Sequence, residues 1–167
     1  MAIGGFFEQP AEAASVQTRS LKQALLNEYK SFSDKRIKNI DRSNIFIIDD
    51  REFGGYGGNR ELYGWFCTIY AEVIDAETVK VSLGKSVPEG RSVESWVQHH
   101  QVDKSRGISF TIGKSDLSEL TELAAAFLEI VKPGARYPVA AYKYVCPRVA
   151  GALNRLHKVL ANHWRNP

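Results

Sequence analysis

The apolar residues of this 167-residue chain change period along its length, from every second residue to every third or fourth, and a chain with both periods folds as α+β. In TVKVSLG, Val79, Val81 and Leu83 alternate with polar neighbours, the pattern of a strand with one buried face. Further on, Leu117, Leu120, Leu123, Ala124, Phe127 and Val131 recur at helical spacing, as do Val149, Leu153, Leu156, Leu160 and Trp164. A composition of 44% hydrophobic and 25% charged residues is enough to give such elements a common core.

The order of elements follows from the same reading. Residues 10–33 predict an N-terminal helix with Leu21, Leu25, Tyr29 and Phe32 as its apolar stripe, flanked by Val16 and Ala24. NIFII, residues 44–48, reads as a strand ending at Asp49 and Asp50, and FGGYGGN, residues 53–59, holds too many glycines for regular structure. LYGWFCTIYAEV, residues 62–73, is rich in aromatic and β-branched residues; the DAE turn joins it to TVKVSL as a hairpin. Ser92–Val102 predicts a third strand, with Val93, Ser95, Val97 and His99 on one face, and Ile108–Ile112 a fourth. The fold expected is therefore a mostly antiparallel sheet, a four-strand meander followed by the helix Lys114–Val131, filling residues 62–131. Tyr137–Val145 alternates as a further strand, and Pro147 fits the first turn of a helix running to Trp164, which completes a strand-helix tail over 135–165. No internal repeat or linker interrupts residues 1–167, which predicts a single domain.

Charge is distributed unevenly over that order. Lys132–Pro167 holds seven Lys or Arg and no Asp or Glu, whereas Lys114–Val131 holds Asp116, Glu119, Glu122 and Glu129. A polyanion responds to the local field rather than to the net charge of +3. Arg136, Lys143, Arg148, Arg155 and Lys158 are placed to neutralise phosphates, and Tyr137, Tyr142 and Tyr144 to stack on bases. Lys35, Arg36 and Lys38 form a second basic cluster, and Lys80 with Arg106 adds cations from the sheet. The competing reading has the cations solvating a helix face and the tyrosines packed in a sheet. Tyr63, Trp65, Trp96 and His100 widen the surface only if they share a face, and burial is the rival for both tryptophans. Tyr56, between Arg51 and Arg60, sits in the glycine loop, either as a flap over nucleic acid or as a crossover.

The junction SRGISFTIGKSDLSELTEL, in which Arg106 and Gly107 precede the short strand of Ile108 and Phe110 and a helix follows at once, resembles the ββββα unit of the transcriptional-coactivator, Whirly and Pur-type single-stranded nucleic-acid-binding proteins. The resemblance implies strands that present aromatic and basic residues to single-stranded DNA or RNA, and units paired as a homodimer. The chain differs from that pattern by its added N-terminal helix and C-terminal strand and helix, and by lacking a dense lysine run ahead of the unit.

Other chemistries find less support. Asp49 and Asp50, with Glu52 nearby, are the residue types of a magnesium nuclease, which needs a further carboxylate such as Glu72 or Asp75 brought close. His99 and His100, read as adjacent strand residues, point to opposite faces and cannot grip one metal. Cys67 and Cys146 read as reduced, buried thiols in a strand and at a strand end. No P-loop, Rossmann fingerprint, GxSxG, HExxH or CxxC motif is present, so neither a cofactor nor a metal is expected. No apolar run reaches the roughly 18 residues of a membrane span, and the opening residues lack a secretory signal; the expectation is a cytoplasmic protein. The function expected is binding of single-stranded DNA or RNA with little sequence specificity, as a homodimer or a subunit of a larger complex. The alternative is a non-enzymatic interaction module, such as a small subunit, inhibitor or adaptor of a phage, plasmid or defence system, and a metal nuclease ranks behind both.

Overall fold

A computed structural model describes residues 16–25, 27, 45–49, 68–83, 90–103, 105, 107–135 and 142–165. It is an α+β arrangement. Four strands, β1 (Ile45–Asp49), β2 (Thr68–Asp75), β3 (Thr78–Leu83) and β4 (Ser109–Gly113), form an antiparallel sheet in that order. The helices are α1 (residues 16–25), α2 (Arg91–His99), α3 (Ser118–Ile130) and α4 (Tyr142–Arg165).

The β2–β3 hairpin turns through Ala76 and Glu77, and the Asp75 carboxylate accepts the Glu77 N–H at 2.9 Å, which holds the turn. Alternation along β3 buries Val79, Val81 and Leu83 and leaves Lys80 exposed, as the period of two requires. Ile69, Ala71 and Ile112 line the same buried side. A single cluster of buried residues joins this sheet face to all four helices, including Leu21 and Leu25 of α1.

Among the described residues, 62–131 thus holds three strands rather than four. Ser92–Val102, expected as a strand, is the helix α2 with a C-terminal turn, and the sheet takes its fourth strand from residues 45–49. Burial of Val93, Trp96 and Val97 explains why: the three lie within one turn of a helix, whereas a strand would turn Trp96 away from the two valines. The Trp96 ring packs edge-on to Phe110 of β4 at 4.9 Å and stacks on His100 at 3.9 Å, which docks α2 against the sheet. Backbone closeness fixes the start of α2, since a Cβ at Gly90 would lie 2.5 Å from Ile130 Cγ1 of α3.

The C-terminal tail is also corrected. Tyr142–Val145, expected to be strand, is already α4, because Tyr142, Val145, Cys146 and Val149 continue the stripe of Leu153, Leu156, Leu160 and Trp164 one turn at a time. Residues 137–141 lie outside the described residues. Pro147 is therefore inside the helix rather than at its first turn, and it supplies no N–H for the Lys143 carbonyl. Cys146 is in the helix and fully buried, and burial pushes its thiol up to about 12, so it stays protonated and inert. Near the other end of α4, the Trp164 indole donates to the Ala76 carbonyl at 2.8 Å, fastening the helix to the β2–β3 turn. Trp164→Phe removes that bond and leaves a carbonyl short of a partner; we expect a loss of about 1–3 kcal/mol in urea unfolding, and an unchanged midpoint would show the bond to be dispensable.

Candidate nucleic-acid interface

Helix α4 advances about 100° per residue and is about 36 Å long, so its two sides can be traced residue by residue. The buried stripe occupies an arc of about 140°, and Lys143, Arg148, Arg155, Lys158 and Arg165 all fall within a second arc of about 140° on the opposite side. Lys143, Arg148, Lys158 and Arg165 are exposed and Arg155 is half-buried. Asn154 and Asn162 share the face, and Asn162 Oδ1 accepts from Arg165 Nη2 at 3.4 Å. No carboxylate occurs anywhere in the helix, so every side-chain charge that α4 itself contributes to this face is positive. His163 adds little charge: desolvation lowers its pKa, and it lies in a groove with Ala24 and Asn27.

Gly151 sits in the middle of the cationic arc. It is exposed, its φ is not positive, and among the described residues a Cβ there would meet nothing within 4 Å. Glycine at such a position lowers helix stability by roughly 0.5–1 kcal/mol relative to alanine.

Several expected site residues lie elsewhere. Tyr142 is only 6% exposed and packs in the core, so its ring is not a stacking platform; it begins the buried stripe. Lys80 projects from the sheet face opposite Val79 and Val81, in register with Glu72 and Thr111, and is not brought to the α4 face. Tyr144 belongs to α4, but its side chain lies outside the described residues, as do Lys35, Arg36, Lys38, Arg106, Arg136 and Tyr137, and also Tyr56, Tyr63, Trp65 and Cys67. Arg165 and Asn162 already fall beside Arg148, Arg155 and Lys158 when the helix is read from Pro147, whereas Asn154 and Gly151 are additions to the expected site. The phase of Val149, Leu153, Leu156 and Leu160 is the signal for them, since it sets both opposite the apolar stripe.

Strand register sets apart the backbone positions of the nuclease reading. Asp49 pairs with Thr68 and Ile45 with Glu72, so Glu72 is four residues, about 13 Å, along the ladder from Asp49, and Asp75 is farther. Asp50 and Glu52 are outside the described residues. His99 and His100 are at the end of α2 rather than in a strand; their rings are 5.0 Å apart, and His100 Nδ1 lies 2.9 Å from the Trp96 carbonyl. Among the described residues no group of three His, Cys, Asp or Glu could hold a metal. A shallow groove of about 560 Å³ between α2 and α3 is lined by both signs, Arg91 against Glu122 and Glu129, so it offers an anion no comparable field. No described helix is long and apolar enough to cross a membrane.

No protein-family model, curated protein or solved structure matches the chain.

Proposed function

We propose that the protein binds nucleic acid, single-stranded DNA or RNA, by laying the phosphate backbone along the outer face of α4. The observation that carries this reading is the alignment of Lys143, Arg148, Arg155, Lys158 and Arg165 on one side of a helix that contains no acid. Such a face binds by neutralising phosphates and releasing condensed counterions, a mode with little sequence preference and no bond made or broken. Asn154 and Asn162 add donors to phosphate or sugar oxygens. The residues of the core do not take part. Trp96, Tyr142 and Trp164 are buried, so any stacking contribution has to come from rings other than these.

Salt dependence tests the proposal directly. With five phosphate contacts on a single strand, affinity in a fluorescence-anisotropy titration should fall on the order of 100-fold between about 50 and 200 mM monovalent salt. A flat response across that range, or no binding at the lower salt, rejects the reading. Purified protein should also carry an elevated 260/280 nm absorbance ratio that a high-salt wash removes, which separates a nucleic-acid partner from an acidic protein docking on the same face.

A further inference from the structure

Among the described residues nothing accounts for the glycine in the middle of the cationic arc: the backbone there is not left-handed, and a side chain would meet no described neighbour. Its surroundings on the helix are specific. One turn away on either side lie Pro147 and Arg148, then Asn154 and Arg155, with Lys158 two turns on. Arg148 and Arg155 flank Gly151 on one side of the arc, and Asn154 and Lys158 on the other. An exposed patch of bare backbone between donors is the arrangement used where a ligand approaches the main chain closely.

We infer that Gly151 is the seat of the bound phosphodiester backbone, which crosses α4 in direct contact with the helix main chain while Arg148 and Arg155 hold one edge and Asn154 and Lys158 the other. The inference rests on the nucleic-acid reading and adds the contact point to it. A second copy of α4 is a poorer occupant, because two such faces would set Arg148, Arg155 and Lys158 against their own like charges. A polyanion meets the opposite sign.

The test uses Gly151→Ala and Gly151→Leu in the full chain, with a fluorescein-labelled, single-stranded oligonucleotide of roughly 20 residues at about 50 mM salt. Both variants should melt at a higher temperature than wild type, by about 2–4 °C for alanine, because a helix-weakening residue has been removed. Binding should move the other way, a few-fold weaker for alanine and roughly tenfold or more for leucine, with the salt slope retained because every cation remains. Stability and affinity therefore change in opposite directions. If wild type binds and Gly151→Leu binds equally well, the seat is elsewhere, although the nucleic-acid reading stands. If wild type fails to bind, both fall together. A wild-type dimer in sedimentation that the leucine variant breaks, with oligonucleotide affinity unchanged, assigns the site to a second copy and overturns the inference.

Discussion

Replacing Arg148, Arg155 and Lys158 together with glutamate will lower affinity for a single-stranded oligonucleotide by about 100-fold or more at about 50 mM salt. Three phosphate contacts are lost, which reduces the slope of log affinity against log salt by about 2, and three carboxylates enter a face that previously had none. Both quantities come from the same anisotropy titrations. The apolar stripe of α4 is untouched by these changes, so the variant should still unfold in one cooperative step. Lys80→Glu provides the comparison: this cation leaves from the other side of the sheet, and its reversal should change affinity by less than about threefold. Equal losses from the two variants would mean that net charge, rather than the α4 face, governs binding. Wild-type affinity in the triple variant would remove the face from the account altogether.

Phe127→Ala should be the most damaging single substitution in the core. Phe127 is fully buried on α3, the helix that packs against both α2 and α4. Truncation removes the ring and leaves a cavity that the packed helices can close only partly, which costs about 3–5 kcal/mol. Thermal unfolding should drop on the order of 10 °C or more. Leu128, one residue along and 42% exposed, supplies the contrast, because Leu128→Ala empties no enclosed space and should cost well under 1 kcal/mol. A Phe127→Ala variant as stable as Leu128→Ala would show that α3 is not the centre of the packing.

Legibility in the sequence followed how strictly each segment kept one period. β3 was readable because Val79, Val81 and Leu83 fit only a strand, and α3 because Leu120, Leu123, Ala124 and Phe127 fit only a helix. Residues 92–102 satisfied both templates, since Val93 and Val97, four apart, fall together on a strand face and on a helix face. Trp96 was the deciding residue, three from Val93, and its burial requires the helix. The same ambiguity affects residues 142–145, because Pro147 also suits the first turn of a helix. Packing decided there, because Tyr142, Val145 and Cys146 prolong an apolar stripe that a strand could not carry across to Val149. The candidate site was legible as a surface only beyond Pro147, where the helical spacing sets Arg148, Arg155, Lys158 and Arg165 on one side. The longer helix brings Lys143 onto that side and turns Tyr142 inward, and the sheet leaves Lys80 on another face.

The indole of Trp164 meets the β2–β3 turn across 88 residues of chain. During synthesis the hairpin is made long before that partner exists, and its apolar side, together with α3, waits for α4 to emerge. A nascent polypeptide halted ahead of α4 would display Phe127, Leu123 and the strand valines to any passing chaperone. Docking of α4, rather than formation of the sheet, is then the step that closes the core.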